Sequence, residues 1–192
     1  MMSPAVEPSD EEAIGRVLDG DREAFAVLVR RHRARVLRLG MSFFRDEEEA
    51  ADFAQDVFVK AFTALASFKG RSLFSTWLLR IAYNTAINSK KRRREALSLG
   101  EDDELPGSPG ADQEHLREDA VRAVREALAT LPPRQALCVE LCFYYDLKYS
   151  EISEITGFPV NTIKSHVFRA KRALRGALDP RIGGRTEAVD AL

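Results

Sequence analysis

The sequence predicts an all-α protein made of two small helical domains joined by a flexible linker. Apolar residues recur at three- and four-residue steps in every long segment, and no stretch alternates over strand length. A Pro/Gly-rich acidic stretch interrupts that periodicity near mid-chain. A length of 192 residues suits one medium domain or two small ones with modest cores. The expected division is an acidic N-terminal tail 1–20, a first domain 21–94, a linker 95–118, a second domain 119–178 and a C-terminal tail 179–192.

The first domain reads as three helices. Ala24, Phe25, Leu28, Val29, Val36 and Leu39 form the stripe of a helix from about Asp21, its N-cap, to Gly40. A second, from about Asp46 to Leu65, carries Ala50, Phe53, Ala54, Val57, Phe58, Ala61 and Leu65. Its acidic first turn, Asp46 to Glu49, suits the positive helix end. After a break at Phe68 to Ser72, with Gly70 as turn residue, a third helix runs from about Ser72 to Arg94 and ends in the basic run Lys90 to Arg94. Residues 95–112 combine Glu101 to Glu104, Pro106, Pro109 and few large apolar side chains, a composition that buries too little surface to offset chain entropy.

In the second domain, a helix through Val121, Val124, Leu128 and Leu131 stops at Pro132-Pro133, where the next one starts and runs to about Tyr145. Ser150 to Thr156 then reads as a short helix, Gly157-Phe158-Pro159 as a tight turn, and Val160 to about Leu178 as a longer helix. These are the parts of a helix-turn-helix, whose second helix enters the DNA major groove. Its outward residues include Asn161, Thr162, Lys164, Ser165, His166, Phe168, Arg169, Lys171 and Arg172, a mixture of base readers and phosphate ligands. An ordinary helical hairpin with a solvated basic face is the plainer alternative. Against it, the helix before the turn is acidic on its exposed face and the helix after it basic.

Charge agrees with a polyanionic partner only when counted locally. The total of 29 Lys+Arg against 30 Asp+Glu conceals +8 over residues 21–94, −8 over 95–120 and +4 over 121–178. The acidic N-terminus has no basic region followed by an apolar stretch, and no apolar run is of membrane length. A cytoplasmic protein without direct membrane insertion is therefore expected. Cys138 and Cys142, four apart on an apolar helix, read as packed core more readily than as a zinc or redox site, and no cofactor is expected.

Two sets of motifs carry a resemblance. Asp52 to Phe58 (DFAQDVF) and Phe68 to Asn88 (FKGRSLFSTWLLRIAYNTAIN) resemble region two of the extracytoplasmic-function (ECF) sigma factors of the sigma-70 family. Leu131-Pro132-Pro133-Arg134-Gln135, Tyr149-Ser150-Glu151-Ile152, and Pro159 to Ser165 with Arg169-Ala170 resemble region four. The resemblance implies a non-catalytic subunit that binds core RNA polymerase, recognises the −35 and −10 promoter elements and melts promoter DNA to start transcription of a signal-responsive regulon. It further implies an anti-sigma factor, membrane-anchored in many members, as a controlling partner.

Carried over residue by residue, Asp52, Gln55, Asp56 and Phe58 would dock on the clamp helices of the largest polymerase subunit. The loop Phe68, Lys69, Gly70, Arg71, Ser72 and Phe74 would hold a base flipped from the −10 element. Trp77, Arg80, Asn84 and Asn88 would read and melt that element, with Lys90, Lys91, Arg92 and Arg93 along phosphates. Asn161, Thr162, Lys164, Ser165, His166, Phe168, Arg169 and Arg172 would take the −35 duplex.

Plain readings stand beside several of these: Trp77 as core, Gln55 and Asp56 as a solvated face, the Lys90 run as a solvated helix end. Three positions depart from the family pattern: Asp56 where Glu is common, Ser153 for a small apolar residue, and His166 where Arg is frequent. Two rivals remain: a helix-turn-helix regulator with a sensing domain, which leaves Phe68 to Asn88 unexplained, and a nuclease or recombinase, for which Asp52 and Asp56 lack companion acids.

Overall fold

The computed structural model describes residues 7–97, 124 and 126–182, and every regular element among them is helical. The linker beyond residue 97, Val121 and the C-terminal tail beyond residue 182 lie outside the described residues.

The N-terminal segment differs from the expected tail. Helix α1 (Asp10–Leu18) begins with a capping box in which Ser9 Oγ accepts from the Glu12 amide at 3.2 Å and Glu12 Oε2 accepts from the Ser9 amide at 2.7 Å. Its acids fill the first turn, and Ala13 and Ile14 are buried in the core. Asp21 caps only a short 3₁₀ turn, Arg22–Ala24, and α2 (Phe25–Phe44) follows.

Helix α2 passes through Gly40, where the sequence reading ended it, and stops at Arg45, whose φ of 57° is left-handed. Gly40 is there for a close approach, since a Cβ on it would stand 2.8 Å from the Phe53 ring and 3.2 Å from the Ala50 Cα. Helix α3 (Glu47–Ala64), capped by Asp46, packs along α2 through that contact. Gly40→Ala is therefore expected to destabilise the first domain by about 1–3 kcal/mol. A thermal midpoint equal to the parent's would show that α2 and α3 can part at no cost.

A 3₁₀ turn (Leu65–Ser67) and a loop lead into α4 (Phe74–Leu97), which starts two residues later and ends three later than its periodicity suggested. In the second domain, residues 126–129 are helical. Next comes α5 (Pro133–Val139), with Pro133 at its first turn, and a π-helical turn (Glu140–Tyr144) extends it. The helix-turn-helix is α6 (Tyr149–Thr156) and α7 (Val160–Ile182). Gly157, at φ 75°, makes the turn that no Cβ-bearing residue adopts cheaply. Ser153 has a role there, because its Oγ donates to the Phe158 carbonyl at 2.7 Å and so ties the helix to the turn.

The two domains pack on one another. Leu137, Cys138, Leu141, Tyr145 and Ile152 share one apolar cluster with Leu39, Leu78 and Tyr83 of the first domain. Arg35 and Tyr145 exchange hydrogen bonds, each donating to the other's carbonyl at 2.9 Å. The Arg38 guanidinium lies 3.6 Å from the centroid of Tyr144, and Thr76 donates to Glu151 at 3.1 Å, joining α4 to α6.

Candidate nucleic-acid and polymerase interface

Three surfaces emerge from this packing. The first surrounds the loop between the 3₁₀ turn and α4. Lys69, Gly70 and Arg71 are exposed at its tip, with Phe68 half-buried behind them. Phe68 meets Trp77 at 5.3 Å between centroids and Phe74 edge-on at 5.9 Å, while Phe74 and Trp77 lie 5.6 Å apart. The trio is an aromatic wall with a basic rim, suited to an unstacked base and its phosphates.

Phe74 itself is only 3% exposed, so it supports the wall and does not offer a contact surface as expected. Trp77 combines its two readings, half in the core and half accessible. Arg80, Asn84 and Asn88 are exposed along α4, and Ser72 is half-buried at its start. Leu73, not singled out in the sequence, is 69% exposed at the loop's end. Its signal is an apolar residue that falls off the helical stripe.

Further along α4, Lys91 and Arg92 are exposed. Lys90 is half-buried with its Nζ 5.9 Å from the Phe43 ring centroid, and Arg93 pairs with Glu49 of α3 at 3.0 Å. That exposed pair holds the helix end at little net energy and leaves the neighbouring cations outward.

The second surface is the outer face of α7. Asn161, Lys164, Ser165, Phe168, Arg169 and Arg172 are exposed, Phe168 at 69%. Thr162 and His166 are half-buried at the side facing the turn. Ser165 Oγ donates to the Asn161 carbonyl at 3.0 Å, which leaves it an acceptor for a partner. His166 sits edge-on to Phe158 at 6.2 Å. Burial, with Arg134 and Arg169 nearby, holds its imidazole below the usual value, so it is an uncharged ring at neutral pH.

The third surface is a groove of about 550 Å³ between α2 and α3. Asp52 and Gln55 line it with Phe25, Val29, Arg33, Val59 and Phe62. Phe58 lines its floor, while Asp56 is exposed outside it. Val59 at 60% and Phe62 at 38% exposure are large apolar side chains open to solvent, Phe62 edge-on to Phe25 at 5.1 Å. They escaped the sequence reading, although they are the two large apolar residues of α3 that the inward stripe cannot place. Cys138, by contrast, is fully buried, and burial pushes its thiol up to about 12, leaving it unreactive at neutral pH.

Known proteins resemble the chain over most of its length. The family model "Sigma-70 region 2" matches residues 28–96 and "Sigma-70, region 4" matches 121–174. The RNA polymerase sigma-H factor of Pseudomonas aeruginosa is 34% identical over 182 residues, spanning 89% of this chain and 94% of that protein. The chain belongs to the ECF sigma factors. The ECF RNA polymerase sigma-E factor of Escherichia coli K12 is 33% identical over 185 residues, covering 91% of the sigma factor described here and 96% of its own length.

Solved structures share the fold. CnrH, solved with the cytosolic domain of CnrY, aligns with a TM-score of 0.63 at 24% identity over 90% of this chain and 99% of CnrH. The sigma factor RpoE, solved with the anti-sigma factor NepR from Bartonella quintana, gives 0.63 at 22% identity over 81% and 96%. As a sigma factor, the protein acts in transcription initiation with RNA polymerase and promoter DNA, and the family is one of regulators, not of enzymes. Among the described residues, no helix is long and apolar enough to cross a membrane.

Proposed function

We propose that the three surfaces divide the work of a cytoplasmic ECF sigma factor. The groove bearing Asp52, Gln55, Val59 and Phe62 takes the clamp helices of core polymerase. The wall formed by Phe68 and Trp77, rimmed by Lys69 and Arg71, captures a base unstacked from the −10 element. Arg80, Asn84 and Asn88 then read the freed strand, and Lys90 to Arg93 follow its phosphates. The exposed face of α7, chiefly Lys164, Phe168 and Arg169, reads the −35 duplex, with the uncharged His166 shifting sequence preference from what an arginine would select.

The observation that carries this reading is the aromatic wall with its cationic rim, a feature that a duplex-binding regulator has no use for. Run-off transcription with purified core polymerase on a promoter library tests it. Redirected initiation at a defined subset is expected, and failure to bind core would sink the assignment.

Lys69→Ala with Asn84→Ala is expected to slow promoter opening about tenfold or more, while closed-complex formation stays near the parent's. Base stacking and base-edge contacts of roughly 1–3 kcal/mol each set that scale. A template with a preformed heteroduplex bubble should restore most of the rate. If the defect persists on the bubble, the loop is not the strand-capture site.

An anti-sigma factor is proposed as the controlling partner, in line with the pairing of RpoE and NepR in a protein of the same fold. The half-apolar groove on α3 suits such a partner, which would then compete with polymerase. The regulon is proposed to be signal-responsive, its induction following release from that partner.

A further inference from the structure

The acidic helix α1 precedes the segment matched to sigma region 2, which starts at residue 28. It is nevertheless built into the first domain. Asp10 Oδ1 pairs with Arg31 Nη1 at 2.5 Å, Glu7 with Arg30 at 3.1 Å, and Arg31 Nη2 donates to the Pro8 carbonyl at 2.6 Å. These pairs are partly exposed and hold the helix down weakly. The remaining contact is of another kind. Asp10 Oδ2 lies 2.8 Å from Nε2 of His32, a residue only 5% exposed, so the carboxylate accepts from that ring nitrogen and fixes which nitrogen carries the proton.

The other side of His32 bears on the aromatic wall. Its ring lies 5.3 Å from that of Phe74, which in turn touches both Phe68 and Trp77. Helix α1 also touches the 3₁₀ turn Leu65–Ser67 that leads into Phe68. Both ends of the loop are thus braced from the same element, one through His32 and Phe74, the other directly.

We propose that Asp10 is a positioning residue for strand capture: by holding His32 against Phe74, it sets the wall of Phe68 and Trp77 on which the unstacked base lies. The proposal rests on the loop's assignment above. A wall whose supporting ring can tilt presents its faces in several orientations, and a stacking partner then loses part of its contact to ordering the site. Asp10 touches no DNA in this scheme and acts only through His32.

Trp77 is the only tryptophan, so its emission reports on the wall without any ligand. In the free protein, Asp10→Ala is expected to red-shift and broaden Trp77 emission. Asp10→Asn, which keeps an acceptor for His32 Nε2, should restore the parent spectrum. Arg31→Ala, which removes the ion pair and leaves the His32 contact, should also match the parent. In holoenzyme on a promoter selected by the parent protein, Asp10→Ala should lower the opening rate about tenfold. Core binding and closed-complex affinity should stay within twofold, and Asp10→Asn should recover most of the loss.

Parent-like emission from Asp10→Ala would overturn the proposal, as would equal loss of core binding and opening, which would make Asp10 a fold-maintaining residue. Failure of Asp10→Asn to rescue, or an Arg31→Ala defect as large, would transfer the role to the ion pair and overturn it too. If the parent holoenzyme selects no promoter, the strand-capture assignment falls and this role with it. The emission series would still reveal whether Asp10 orders the wall.

Discussion

Lys164→Ala combined with Arg169→Ala is expected to abolish initiation at promoters that depend on the −35 element while leaving core binding intact. Both side chains are exposed on α7, five residues apart, with Phe168 between them. Neither makes a buried contact that the fold needs. Direct base contacts are worth roughly 1–3 kcal/mol each, and phosphate contacts add a salt-dependent term, so the pair accounts for a loss of at least about 30-fold in promoter affinity. Filter binding of holoenzyme to the −35 duplex at several salt concentrations, beside a pull-down with core polymerase, separates the effects. The salt slope should fall along with the affinity. Retention of full −35 affinity would remove α7 as the reading helix, and a parallel loss of core binding would point to misfolding.

Separation of the two domains is expected to increase with pH through Glu140. This carboxylate projects from the π-helical turn into the domain interface with its side chain 9% exposed, 3.7 Å from Arg38 Nε. Neither Glu140 Oε1 nor Arg38 Nε has a hydrogen-bond partner, so the pair is close without being well made. Burial pushes the carboxyl from 4.5 up to about 7, opposed by the Arg38 guanidinium and the Ser42 hydroxyl. Tyr145 and Tyr144 face the same site, and Tyr145 is itself held protonated by burial.

The closed form therefore binds this proton more tightly than a form in which Glu140 meets water. Its contribution to closure is fully present below about pH 4.5 and is lost as pH rises through about 7. At about 1.4 kcal/mol per pH unit, the whole window is worth roughly 3 kcal/mol. Energy transfer between dyes on α3 and α7 should report a larger separation at pH 8 than at pH 5.5. Glu140→Gln, neutral throughout, should keep the domains together and flatten the response. A variant that responds to pH as the parent does would assign the effect to another group.

Much of the fold was legible in the sequence because local chemistry speaks for it. The acidic stretch at Asp46 starts α3, Pro133 opens α5, Gly157 turns the helix-turn-helix, and the stripe of α3 points inward where periodicity put it. Gly40 misled, since a glycine near a plausible helix end looks the same whether it ends the helix or admits a neighbour. Helix α1 was hidden by its own acidity, although Ser9 and Glu12 have the spacing of a capping box. At the surfaces, exposure of Lys164, Phe168, Arg169 and Asn84 followed from helical geometry, and that of Lys69 from its place beside the turn at Gly70. The exposure of Val59 and Phe62 did not, because it depends on which helix lies opposite. The domain interface left no periodic trace: Tyr144 and Tyr145 meet Arg38 and Arg35 of α2 from the end of a π-helical turn, which no apolar pattern announces.

The contact between α4 and α6 has a thermodynamic meaning that extends beyond the interface itself. Any partner that must grip the two domains apart binds only the open fraction of molecules, and its apparent affinity is scaled by that fraction. A subunit open one time in a hundred would present itself to such a partner as though it were about a hundredfold more dilute. Each residue that seals the interface is in that sense a setting of effective abundance, adjustable by a single substitution in Arg35 or Tyr145 without touching any surface that meets polymerase or DNA.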